Sequence, residues 1–398
     1  MKKFLSISNI YLLLIICYQL QGVLYEGGST FSKSIVGLYS LYSIFISLYA
    51  NLHYKLPIYF KGLNLLFGMF VLYGVVHISV TPTDYVRASN LVYPSYNYLL
   101  AICLSLTPIY VFYVATVKKE FDSKKILHWT FIILFLSIAK FLSKSDVDDV
   151  AEVTNNMGYL FVGIIPLIPF LKNKTTIQYV LLITCIIMIM LSMKRGAILV
   201  ASCSLILYMT SQWKQSNRAK PIVLLVMTIA FFIGIVYFVR YLLHSSDYML
   251  ERIEATKEGN SSLRDMLLYN LWHYFTNEAS MTEQLFGGGA NHTLIVTDNY
   301  AHNDWLEILI NQGILGILVY LFYWFKFWQE QRFCRNIKKL NLARTSLTIC
   351  ILASFLMTIF SMSYGDLPIG MSMAIGICLG QITLYQTGQE TLCNTPQS

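Results

Sequence analysis

The chain has 398 residues, of which 56% are hydrophobic and only 13% charged, with a formal net charge of +8. Soluble domains carry about 25% charged residues, so composition sets a soluble globular enzyme aside, and no nucleic-acid partner is expected. The eight cysteines form no CxxC and no Cys/His cluster, so neither a disulfide framework nor structural zinc is expected.

Apolar runs long enough to cross a hydrocarbon core of about 30 Å recur along the chain. They are expected to be helices, because lipid leaves backbone polar groups no partner outside the segment. In chain order the expected spans are 8–25, 34–52, 61–80, 97–116, 126–143, 156–171, 176–193, 196–213, 221–243, 303–325, 345–364 and 367–386. The fold class is therefore all-α, a polytopic integral membrane protein of about twelve transmembrane helices, with 1–398 as a single integral membrane domain. Lys2 and Lys3 before the first run resemble a signal peptide, but no small-residue cleavage site follows, so a retained first span is expected.

Orientation follows from the positive-inside rule. With the N-terminus in the cytoplasm, cytoplasmic segments hold 19 of the 29 Lys and Arg and 4 of the 21 acids, a net of +15 against −7 outside. Both termini are thus expected in the cytoplasm. One large external loop, 244–301, lies between the ninth and tenth spans. Within it, 264–276 mixes Leu267, Leu268, Leu271, Trp272 and Phe275 with polar positions, which suits a helix lying in the interface. Residues 285–293 (LFGGGANHT) read as a flexible turn.

In lipid the informative residues are polar groups in discouraged places. Lys194 and Arg195, in the short external turn KRGA (194–197), set two cations on the negative side. They are either helix-end residues snorkelling to the headgroups or an anion site, in which the Arg fork matches phosphate oxygens and Gly196 admits close backbone approach. Arg264, in SSLRD (261–265), either pairs with Asp265 or Glu258 or adds a second clamp on a pyrophosphate. Asn303, Glu307 and Asn311 are spaced to share one helix face, implying a wet cavity or a helix–helix polar seam. Gly313 and Gly316 then permit close helix packing. His302 sits at the external start of the tenth span, beside Asp304. It is either a structural hydrogen-bonder or a proton acceptor whose ordinary pKa suits chemistry near neutrality. His292 and His302 invite a metal site, but no third ligand is evident, so no metal and no cofactor is expected.

The ordered motifs KRGA (194–197), SSLRD (261–265), LFGGGAN (285–291) and AHNDWLEILINQGILG (301–316) resemble the O-antigen ligase/polymerase superfamily of bacterial surface-polysaccharide assembly, and most closely its Wzy-type O-antigen polymerases. The motif resemblance covers roughly 190–316. It implies a membrane glycosyltransferase of the GT-C general kind in the bacterial inner membrane, acting at the periplasmic face on an undecaprenyl-pyrophosphate-linked oligosaccharide. The family's turn arginine, loop arginine and span-opening histidine fall on Arg195, Arg264 and His302. Lys194 stands where the ligase branch often has Ser or another small residue, which favours the polymerase branch.

The implied reaction is inverting attack by a sugar hydroxyl on the anomeric carbon. Arg195, Lys194 and Arg264 would hold the pyrophosphate, and His302 would take the proton or orient the phosphate. Asp304 or Glu307 would tune His302 or be the base, with Asn303 in support. Expected partners are the lipid-linked glycan, membrane lipid and a chain-length regulator protein. The alternatives are an O-antigen ligase acting on lipid A-core and, in another class, a lipid-linked oligosaccharide flippase.

Overall fold

The computed structural model describes residues 6–24, 30–80, 85–86, 92–93, 96–144, 157–171, 175–192, 194–215 and 264–389. Lys2, Lys3, the expected ninth span and residues 244–263 of the expected external loop lie outside these. The described elements are α1 (Ile7–Leu24), α2 (Thr30–His53), α3 (Tyr59–Val80), α4 (Asn97–Leu106), α5 (Pro108–Val117), α6 (Ser123–Lys144), α7 (Gly158–Val162), a 3₁₀ segment (Ile165–Leu171), α8 (Thr175–Leu191) and α9 (Arg195–Gln215). There follow α10 (Arg264–His273), α11 (Met281–Phe286), α12 (His292–Thr297), α13 (Asp304–Phe333), α14 (Asn341–Phe360) and α15 (Ile369–Gln386). The described part is helical apart from a two-residue antiparallel pairing of Tyr85–Val86 with Val92–Tyr93. Among the described residues, seven helical runs, with α4 and α5 taken together as Asn97–Val117, are long and apolar enough to cross a membrane. The protein is a multi-pass membrane protein.

Proline explains why two expected spans are not single helices. Pro108 has no N–H to continue the helix through Thr107, so residues 97–116 divide into α4 and α5; the Thr107 hydroxyl donates back to the Cys103 carbonyl at 2.5 Å. Residues 156–171 depart further from expectation. Pro166 and Pro169 hold Ile165–Leu171 as a 3₁₀ segment in which every residue is buried. Its carbonyls find donors on neighbouring helices, Ser346 Oγ to the Pro166 oxygen at 2.7 Å and Gln178 Nε2 to the Ile168 oxygen at 3.1 Å. Irregular backbone is tolerated at membrane depth only where it is enclosed and bonded in this way.

The centre of the bundle is α15, buried along almost its whole length. It packs on α5 through Gly376 and Gly380, one turn apart. A Cβ on Gly376 would lie 2.6 Å from the Phe112 Cβ, and one on Gly380 would lie 2.5 Å from the Thr116 Cβ. Without a hydrophobic drive between helices in lipid, such small-residue faces hold helices together by close van der Waals contact.

Tertiary contacts sort the termini of the helices onto two ends. At one end Glu120 caps α1, accepting from the Ile7 N–H at 3.2 Å, the Ser8 N–H at 2.8 Å and the Ser8 hydroxyl at 2.7 Å. There too Glu330 accepts from the Tyr59 N–H at 3.0 Å, Tyr54 meets the Tyr113 ring, and Lys118 lies over Tyr49. The opposite end gathers the head of α9, α10, residues 285–304 and residues 358–366. Among the described residues, Lys118, Glu120 and Glu330, which the charge count assigns to the cytoplasm, lie at the first end.

Gly376→Leu is expected to force α15 off α5, an overpacking of roughly 1–3 kcal/mol or more. Melting of the detergent-solubilised protein, followed by size-exclusion chromatography, should drop by several degrees. Gly37→Leu, where a Cβ meets nothing within 4 Å, should leave it unchanged. Equal melting of the two variants would contradict the packing.

Candidate functional site

The site is built on the head of α13. Asn303 is its N-cap, its Oδ1 accepting from the Leu306 N–H at 3.1 Å. Asp304 and Glu307 follow, 0% and 1% exposed. The two Asp304 oxygens accept from the Tyr320 hydroxyl at 2.6 Å and the Ser363 N–H at 2.8 Å. Glu307 accepts from the Thr293 hydroxyl at 2.6 Å, the Ala301 N–H at 2.7 Å and Asn311 Nδ2 at 2.9 Å. Asn311 Oδ1 in turn accepts from the Thr293 N–H at 3.0 Å. The expected polar face of Glu307 and Asn311 is present: Glu307 lines a cavity, and the face bonds to residues 293–301 rather than to a neighbouring transmembrane helix. Asn303 does not share that face, because its extended backbone makes it a cap.

Gly313 explains how that stretch docks. Its φ of 66° and ψ of −164° break the helical path inside α13. The Ile310 and Asn311 carbonyls, just before the break, accept from the Gly288 and Gly289 N–H groups, both at 3.0 Å. A Cβ on Gly287 would lie 2.2 Å from the Asn311 oxygen, and one on Gly313 2.5 Å from the Leu285 carbonyl carbon. Glycine at both positions is what lets two backbones touch. The stretch expected to be a flexible turn is therefore pinned against the kink, and the close packing expected of Gly313 is with this loop.

His302 stands between two fixed neighbours, Ala301 held by Glu307 and Asn303 held as the cap. Its φ of 51° is left-handed, a conformation that costs a non-glycine residue about 1–3 kcal/mol and persists only where surroundings impose it. His302 lines a cavity of about 260 Å³, together with Asn97, Tyr98, Asn291, Tyr364 and Asp366. Asp366, between α14 and α15, had entered the sequence reading only as one charge in a count. Desolvation of its carboxyl pushes it up to about 6, with Lys140 opposing, although the residue as a whole is exposed.

The cation-bearing segments meet at the end of α14. Arg264 Nη1 donates to the Phe360 carbonyl at 3.4 Å, and Asn303 Nδ2 to the Ile359 carbonyl at 3.5 Å. Trp305 Nε1 donates to the Thr358 hydroxyl at 2.9 Å. Gly196 lies against the same turn, a Cβ there falling 2.9 Å from the Phe360 Cβ. Arg195 opens α9 beside it and is exposed, with Lys194 half-buried. The structure thus brings the elements carrying Arg195, Arg264 and Asn303 to one place. Asp304 is sealed beneath, away from solvent, and Glu307 spends its oxygens on three protein donors, so both carboxylates act as anchors.

Around this centre, α10 buries Leu271 against Ala301 and Ile310 and leaves Met266, Tyr269 and Trp272 exposed. Residues 180–321 match the family model described as O-Antigen ligase. The resemblance to the O-antigen ligase/polymerase superfamily holds on this segment, which contains Lys194, Arg195, Arg264 and His302–Asn311. No curated protein matches the chain.

His292 supplies a pH test of the loop. Its Nε2 pairs with the Tyr274 hydroxyl at 2.8 Å. Burial holds its pKa below the ordinary imidazole value, and Glu283 opposes this only in part. The neutral ring's contribution is therefore complete above about pH 6.5 and is lost as pH falls toward the folded value. Glu283 is itself held low, chiefly by the Ser280 N–H, so its own loss comes only at more acid pH. Protection factors over 274–292, corrected for the intrinsic pH dependence of amide exchange, should fall between pH 7.5 and 5.5, and His292→Gln should flatten that dependence. An equal loss of protection in both proteins would contradict the assignment.

Proposed function

We propose that the protein is a membrane glycosyltransferase that polymerises undecaprenyl-pyrophosphate-linked repeat units at the periplasmic face of the bacterial inner membrane. What carries this reading is the meeting, at the end of α14, of the elements bearing Arg195, Arg264 and Asn303. That meeting point adjoins the His302 cavity, and Arg195, Arg264, His302 and Asn303 all lie within the residues 180–321 that match the family model described as O-Antigen ligase.

In this mechanism Arg195, Lys194 and Arg264 hold the pyrophosphate. The acceptor sugar hydroxyl enters the cavity between His302 and Asp366. As its oxygen bonds to the anomeric carbon, its proton passes to His302, and the bond from that carbon to the phosphate oxygen breaks with its electron pair leaving on undecaprenyl pyrophosphate. The displacement inverts the anomeric centre. The leaving group is weakly basic, so stabilising the charge that develops on it matters more than protonating it. Imidazole is the side-chain type suited to proton transfer near neutrality, and Asp366, raised to about 6, offers a second acceptor. Asp304, Glu307 and Asn303 act by fixing the backbone on either side of His302. The prenyl chain lies along the apolar helices, and a chain-length regulator is the expected protein partner.

The ligase reading has an observation in its favour, the description of the matched family. A deletion strain separates the two. Loss of a polymerase leaves core bearing a single repeat unit, whereas loss of a ligase leaves bare core with accumulated lipid-linked polymer. Loss of a flippase would instead trap single lipid-linked units on the cytoplasmic side.

Arg195→Ala, Arg264→Ala and His302→Ala, expressed at wild-type levels in that strain, should each abolish the long-chain glycan ladder on a gel. His302→Asn should also abolish it, because asparagine accepts the left-handed backbone but offers no imidazole. Full ladders from all four would sink the site assignment.

A further inference from the structure

One residue beside the cationic segments is not accounted for by packing. Tyr159, in α7, is 2% exposed, and its hydroxyl has no hydrogen-bond partner among the described residues. A buried hydroxyl left unpaired carries an uncompensated desolvation cost, and phenylalanine would fill the same volume without it.

The place where that hydroxyl lies gives it a use. A Cβ on Gly196 would fall 2.4 Å from the Tyr159 oxygen, so the hydroxyl rests against the first turn of α9 at a position that only glycine leaves open. Gly158 is pressed as closely on Ser192 and Ala197, which fixes the ring's approach. In that turn the Ile198 N–H is already bonded to the Lys194 carbonyl at 3.0 Å. The N–H groups of Arg195, Gly196 and Ala197 come before it, at the positive end of a 21-residue helix. The charge of Arg264 acts on the Tyr159 hydroxyl, and its guanidinium donates to Phe360, the residue packed over Gly196. Helix amides, a phenol and a guanidinium therefore converge on one spot. All three are donors to an anion, and the arrangement is that of a phosphate cradle at a helix head.

We propose that Tyr159 is a further ligand of the diphosphate, its hydroxyl donating to a phosphate oxygen that Arg264 and the head of α9 also hold. The assignment rests on the pyrophosphate-sugar reading of the site. Tyr159 keeps its proton throughout. It stabilises the oxygen that receives the electron pair when the bond from the anomeric carbon breaks, while the acceptor's proton leaves by way of His302. Gly196 is required here to leave room for the phenol.

The test uses the full-length protein in lipid nanodiscs, with undecaprenyl pyrophosphate as the probe and binding read by native mass spectrometry. Tyr159→Phe should weaken binding about tenfold, the loss of one hydrogen bond to a charged group, with a melting temperature equal to the wild type or higher. Unchanged binding would overturn the proposal. A melting temperature lowered by several degrees would also overturn it, since the hydroxyl would then have a structural partner. Arg195→Ala and Arg264→Ala are measured in parallel. If they weaken binding and Tyr159→Phe does not, the proposal for Tyr159 fails and the site stands. If all three bind as the wild type does, the pyrophosphate reading itself fails.

Discussion

The candidate site depends on two carboxylates taken out of water at the head of α13. Asp304 is held from across the kink and from the loop after α14, and Glu307 by its own next turn and by the loop before α13. Asp304 ties the helix to residue 363, and Glu307 ties it to residues 293 and 301. A buried carboxylate without donors is expensive, so these bonds are strongly directional requirements on the fold. They set the loop before α13 and the loop after α14 on either side of His302. The cavity exists between those two loops.

The kink at Gly313 is the second element of this arrangement. A straight helix would have presented its carbonyls to its own next turn. The break lets the glycine loop bond to Ile310 and Asn311 instead, which carries residues 285–301 back over the helix. The meeting of α9, α10 and α14 at Phe360 then places the cationic segments beside the cavity. Lipid-facing helices supply the frame, and the polar chemistry is confined to one end of it.

Much of this was legible in the sequence, for reasons that differ by residue. Lys194 and Arg195 stood out because charges are rare in apolar chains and these opposed the bias around them. Glu307 and Asn311 stood out because their spacing stacks them on one helix face, and their hydrogen bond is present at 2.9 Å. Backbone pairing carries no side-chain signal, so the docking of Gly288 and Gly289 on the kink was hidden even though the glycines were visible. Pro166 and Pro169 break 156–171 where hydropathy alone reads a span, and the Gly376–Gly380 packing face carries no charge or hydropathy signal. Asp366 looked like an ordinary acid in a short loop. Tyr159 had no distinguishing mark among 28 tyrosines, because what sets it apart is a buried hydroxyl without a partner among the described residues.

The most direct measurement is an experimental structure of the protein in nanodiscs with undecaprenyl pyrophosphate bound. The account places the diphosphate at the head of α9, in contact with Arg195 and Arg264 and beside the His302 cavity. A diphosphate found at the opposite end of the bundle, in the groove lined by Trp328, Glu330 and Arg332, would contradict it.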